Sequence, residues 1–142
     1  MIKRINFNIG CTIFDIELRS HLVLVMGQSG VGKTFFFNSY KDYILANGKE
    51  NKVYFYNFAD VGNKDYMYER IRNSKGKLFV IDNADLLISE KMKQIISKDC
   101  NNQYLIITKN IEGYTYCRDN IVSMKVVDDV IYLDYILNRN GN

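Results

Sequence analysis

The sequence of 142 residues has no proline, no tryptophan and a single histidine, His21. One histidine leaves little from which to build a histidine-based metal or catalytic site. The three cysteines, Cys11, Cys100 and Cys117, are odd in number, scattered and not at metal-ligand spacing. They exclude a disulfide framework and read as reduced thiols, which predicts a cytoplasmic protein. No long uninterrupted apolar run is present, so no membrane span is expected. Lys3 and Arg4 lead into alternating polar and apolar residues rather than the continuous apolar stretch of a secretory signal. The net charge of +3 is a mild basic excess that does not by itself argue for nucleic acid. What the chain does have is ordinary for a globular domain: 47% hydrophobic and 25% charged residues. Residues 1–142 read as one domain, large enough to bury a core without disulfides or a structural metal.

No repeat, low-complexity run or linker divides the chain. Short β-like runs alternate with helix-like segments. Ile5, Phe7 and Ile9, then Ile13, Ile16 and Leu18, suggest an antiparallel pair turning at Gly10 and Cys11. Leu22-Val23-Leu24-Val25-Met26 is apolar throughout, as expected for a strand buried on both faces. A helix is predicted from Gly32 or Lys33 to about Asn47, stopped by Gly48. Further strands are expected at 53–58, 78–81 and 104–107. Helical segments are expected at 64–73 and within 89–99, where Met92, Ile95 and Ile96 have helical spacing. The runs 121–127 and 130–136 flank Asp128-Asp129 as a hairpin, the second with an alternative as a short helix. Strands alternating with helices predict a parallel sheet with both faces covered.

The informative segment is Gly27-Gln28-Ser29-Gly30-Val31-Gly32-Lys33-Thr34. It matches the phosphate-binding pattern G-x-x-x-x-G-K-[ST] at every fixed position, between a buried strand and a helix. Glycines permit positive φ and close backbone approach to a phosphate, while backbone N–H groups and the helix N-terminus face the anion. Lys33 adds a point charge for the outer phosphates, and Thr34 a hydroxyl for Mg²⁺. Farther along, four apolar residues run into Asp82 in Leu78-Phe79-Val80-Ile81-Asp82-Asn83-Ala84-Asp85. A carboxylate at the end of a buried strand sits where open α/β sheets bind ligands, and Asp82 is placed to hold Mg²⁺.

With these two motifs the chain resembles the P-loop NTPases, in their additional-strand division of AAA+, ABC and helicase-like ATPases. The resemblance implies a three-layer α/β P-loop NTPase fold with a mainly parallel central sheet and an N-terminal antiparallel β-pair. It also implies Mg-ATP binding. In that division an acidic residue follows the strand-end Asp and polarises water. Here Asn83 takes its place, and an amide cannot accept a proton, although it can position water. Asp85 is the alternative base, unless it only begins the next helix. Hydrolysis is therefore expected to be weak or dependent on a partner.

By the same resemblance, Thr108 or Asn110, after the strand at 104–107, stands at the γ-phosphate sensor position. Arg118, just before the strand at 121–127, stands where AAA+ proteins carry an arginine finger across a subunit interface. The ABC signature, the guanine-specific N-K-x-D motif and a helical lid are absent from the sequence. Arg70 and Arg72 are the only clustered candidates for the lid of a small-molecule kinase. Phe35, Phe36 and Phe37 cannot all face one side of a helix, so one is expected to be exposed. Tyr54, Phe55, Tyr56 and Phe58 suit packing or single-stranded nucleic acid. The functional expectation is an ATP-binding switch or motor-like module, completed by a second copy or a separate protein partner. Two alternatives are a nucleotide-sensing interaction module without turnover and a small-molecule phosphotransferase.

Overall fold

The apolar run Leu22–Met26 forms a strand in the interior of the sheet, with hydrogen-bonded neighbours on both sides. The structure is a computed structural model that describes residues 1–27 and 32–135. Its strands are β1 (Arg4–Ile9), β2 (Thr12–Glu17), β3 (Leu22–Met26), β4 (Val53–Tyr56), β5 (Leu78–Ile81), β6 (Gln103–Thr108), β7 (Ile121–Val127) and β8 (Val130–Tyr135). Its helices are α1 (Lys33–Ala46), α2 (Lys64–Asn73), α3 (Ala84–Leu87) and α4 (Glu90–Lys98), with 3-10 turns at Phe58–Asn63 and Arg118–Asn120. The strands form one sheet in the order β1-β2-β8-β7-β3-β6-β5-β4. Among the described residues no helix is long and apolar enough to cross a membrane.

The expected three-layer P-loop fold with a mainly parallel sheet is not what the chain forms. The sheet is mixed, rich in strand relative to helix, and curls into a half-barrel. The β1–β2 and β7–β8 pairs are antiparallel, whereas the β4–β5, β5–β6, β3–β6, β3–β7 and β2–β8 pairs are parallel. Antiparallel neighbours close through two-residue turns and need no crossover helix, so this end of the sheet acquires none. Asp128 and Asp129 make the β7–β8 turn with φ of 49° and 64°, the left-handed pair that matches strand twist. The antiparallel end keeps a polar outer face, alternating Asn6, Asp15 and Lys125 outward with Phe7, Phe14 and Met124 inward. The expected in-phase set Ile13, Ile16 and Leu18 is off by one at its start. Phe7 pairs with Phe14, leaving Ile13 on the outer, exposed face.

Two cores result. The inner one gathers Phe36, Phe37, Tyr40 and Ile44 of α1 with residues from both ends of the sheet, including Phe7, Phe14, Val53 and Tyr135. Its rings run as a chain, with Phe36 5.9 Å from Phe14 and 5.6 Å from Tyr40 between centroids. The second core packs Met67, Ile71, Leu87, Met92 and Ile96 of the remaining helices on β3, β5 and β6. It contains no residue of β1, β2, β7 or β8. Helices thus cover that face over only part of the sheet.

Several segments differ locally from expectation. The strand expected at 53–58 ends at Tyr56, because the Asn57 side chain accepts from Ala59 N–H and Asp60 returns a bond to Asn57 N–H. That reciprocal cap starts the 3-10 turn instead. The 130–136 run is a strand as far as Tyr135, and Ile136 lies outside the described residues. Phe36→Ala, a deletion from the fully buried ring chain, is expected to cost about 3–5 kcal/mol. Urea unfolding followed by circular dichroism should show a lowered midpoint with unchanged slope.

Candidate functional site

Strand register brings the two sequence motifs to one place. Met26 pairs with Thr108 and Ile81 with Ile106, so Gly27, Asp82 and Lys109 all emerge at the C-terminal edge of adjoining parallel strands. That edge is where parallel α/β sheets place ligands. A pocket there is lined by Gly27, Lys33, Thr34, Asp82, Asn83, Asp85, Ile107, Thr108 and Lys109. Gln28, Ser29, Gly30 and Val31 lie outside the described residues.

The chain enters α1 through Gly32, whose φ of 73° suits glycine. The first turn of α1 carries no acidic side chain, and no side-chain cap is formed among the described residues, so the positive dipole end of the helix lies at the pocket. Gly27 has a φ of 131°, and a Cβ there would sit 3.4 Å from Lys33 Nζ. The glycine therefore serves both the turn and the space for the ammonium. Lys33 is buried at 6% exposure, and burial holds its ammonium below the usual lysine range against the opposing pull of Asp82. Thr34 lies beside it, exposed.

Asp82 is buried at 8% exposure, and burial pushes its carboxyl up, opposed by the Asn83 N–H and by Lys33. Its Oδ1 accepts the Asn83 N–H at 2.8 Å, and no hydrogen bond from a described residue reaches Oδ2. With Oδ2 open among the described residues, this carboxylate has a lone-pair face that suits a hard divalent cation. Among the described residues no group of three or more His, Cys, Asp or Glu side chains could hold a metal ion. An ion here would lean on Thr34, Asp82, phosphate oxygens and water, the ordinary manner of Mg²⁺.

Asn83 has a φ of 52° and ψ of 41°, a left-handed conformation that Asn tolerates better than Glu does. Its Oδ1 accepts from Phe58 N–H at 3.4 Å, turning the amide toward the 3-10 turn after β4. The residue at this position is thus set by backbone geometry as well as by chemistry. Asp85 is fully engaged: Oδ1 accepts the Thr108 hydroxyl at 2.8 Å and Oδ2 the Lys109 N–H at 2.9 Å. It clamps the end of β6 to the start of α3. Thr108, buried, also accepts from Asn110 N–H at 3.3 Å. Asn110 turns its own amide oxygen to Glu112 N–H and does not line the pocket.

The structure does not bring every candidate together. Arg118 lies at the start of β7, beside Asn120, whose side chain donates to the Leu22 carbonyl at 2.8 Å. That is the N-terminal edge of β3, opposite the pocket, because β7 runs parallel to β3. Arg70 stacks over Tyr54 at 4.2 Å and donates to the Tyr56 hydroxyl, while Arg72 reaches Met92 Sδ. Neither lines the pocket. Of the three phenylalanines, Phe36 and Phe37 are buried and Phe35 is 45% exposed, as helical geometry requires. Sequence reasoning missed the Phe58 N–H and the Lys109 backbone as parts of this site, since backbone donors carry no side-chain signal. Comparison with protein-family models, with curated proteins and with solved structures finds no match to this chain.

Two outcomes follow from this geometry. Asn83→Glu should cost about 1–2 kcal/mol from the left-handed backbone alone, with Asn83→Gly within a few tenths of wild type, measured by chemical denaturation. The raised Asp82 value means the folded state holds that proton more tightly than the unfolded chain does. Its stabilisation is present at low pH and is lost as pH rises through the folded value. Asp82→Asn should therefore melt at a higher temperature than wild type at pH 7, a gain that shrinks toward pH 4 in thermal melts.

Proposed function

We propose that this protein binds Mg-ATP at the pocket where α1 begins. The observation that carries the reading is the convergence of Lys33 and Thr34, at the start of α1, with the buried carboxylate of Asp82. In this reading the α1 N–H groups and the Lys33 ammonium hold the phosphates. The Thr34 hydroxyl and the Asp82 carboxylate would hold Mg²⁺, which would supply positive charge against the phosphates. Desolvated by burial, Lys33 interacts with a phosphate more strongly than a surface lysine would.

Turnover by the isolated chain is slow in this reading. A general base must reach the proton it takes. Asn83 has no basic oxygen, and both Asp85 oxygens already accept hydrogen bonds. Arg118 stands at the opposite end of the strands, so in this reading an arginine finger is supplied by a second copy or another protein. The protein then acts as a switch or motor-like module whose hydrolysis a partner stimulates. The engaged Asp85 also favours a second reading, a nucleotide-sensing interaction module without turnover.

Calorimetric titration of Mg-ATP tests the binding. Lys33→Ala should weaken affinity at least tenfold, and equal affinity overturns the proposal. Phosphate release separates the two readings: turnover above background that Lys33→Ala abolishes excludes the sensing module.

A further inference from the structure

A second pocket lies at the other end of α1. It has a volume of about 290 Å³ and is lined by α1, the N-terminal segment through β1, and the stretch from Lys49 into β4. The half-barrel curl creates it, because the inner core wraps around α1 and brings β1 and β4, the two edge strands, to the same helix. The Ile2 backbone is held there by both ends of the Gln103 side chain, at 2.8 and 2.6 Å.

The chemistry of this pocket is one-sided. Its charged residues are Arg4, Lys49 and Lys52, with no acid among the lining residues. Arg4 is neutralised by Asp15 on the outer face of the sheet. The ammonium groups of Lys49 and Lys52 form no ion pair with any described residue, leaving a charge of about +2. Tyr40 lines the same pocket at 3% exposure, and its hydroxyl has no hydrogen-bond partner among the described residues. Burial, and then Tyr43, push that phenol up, so it stays protonated and available as a donor. A hydroxyl donor on the pocket wall beside two cations without ion-pair partners among the described residues suits an acceptor with negative charge. Ile44 and Val53 make the remaining wall apolar.

We propose that this pocket binds a phosphate monoester with an apolar or flat body, of mononucleotide size. The dianionic phosphate matches Lys49 and Lys52 in charge, with the Tyr40 hydroxyl donating to a phosphate oxygen. The body of the ligand rests on Ile44 and Val53. The volume sits at the small end of ligand pockets, which suits one nucleotide rather than a dinucleotide. This site shares no lining residue with the pocket at Lys33 and stands whether or not that pocket binds ATP.

The probe is adenosine monophosphate, titrated without Mg²⁺ into the full chain and followed by backbone amide shifts, with inorganic phosphate and adenosine as parallel arms. The expected result is saturable shifts at Tyr43, Lys49 and Lys52, unchanged in Lys33→Ala. Lys49→Ala/Lys52→Ala should weaken binding at least tenfold, and Tyr40→Phe, which keeps the ring, about threefold or more. Inorganic phosphate should bind at least tenfold more weakly than the monophosphate, and adenosine more weakly again. Shifts confined to the start of α1, or equal affinity in the double lysine variant, overturn the proposal. Equal binding of phosphate and adenosine monophosphate overturns the role of the apolar wall.

Discussion

The parallel pairing of β3 with β6 is the interaction on which the rest of the structure depends. Both strands are apolar along nearly their whole length and are covered on both faces, so neither can slide by one residue without exposing a full row of side chains. Their register places Met26 opposite Thr108. From that pairing come the start of α1 on one side and the Asp85 clamp on the other. The β5 register then adds Asp82 at the same edge. Shifting any of these strands would scatter the pocket.

The pocket itself stands against folding. A lysine and an aspartate are buried there with shifted pKa values, and a left-handed asparagine follows the aspartate. Such features are costly, and they are held in place by the cores packed on either face of the sheet. The pocket at the other end of α1 shows a charge imbalance in milder form, with two ammonium groups that form no ion pair among the described residues. One helix of 14 residues thus has a pocket with basic side chains at each end. At its N-terminus the helix dipole favours the anion. At its C-terminus the dipole opposes it, and Lys49 and Lys52 must supply the attraction.

Much of the fold was legible in the residues. The runs at β3, β5 and β6 are apolar throughout because both faces are buried, and α1 begins and ends where its glycines say it should. The β7–β8 hairpin follows from two adjacent aspartates between β-like runs. Other features left no such mark. The four-residue α3 is too short for a periodic signal. The 3-10 turn after β4 took the last two residues of the strand expected at 53–58, because a local cap outcompeted the aromatic pattern. The three-layer fold was wrong because strand alternation at the chain's two ends does not say which strands will pair. Here β2 joins β8, across more than a hundred residues, and produces a mixed, curled sheet.

The sequence by itself determined the local chemistry: a glycine-rich turn into a helix bearing Lys33 and Thr34, and an apolar strand ending in Asp82. These are properties of adjacent residues, governed by backbone freedom and burial. Only the tertiary structure decided that the two segments meet, that Asp85 is occupied by Thr108 and Lys109, and that Arg118 stands at the far edge. It also brought β1 and β4 together around α1 to form the basic pocket. Those outcomes depend on strand order and sheet curvature, which arise from contacts between residues distant in the chain and are written in no single segment of it.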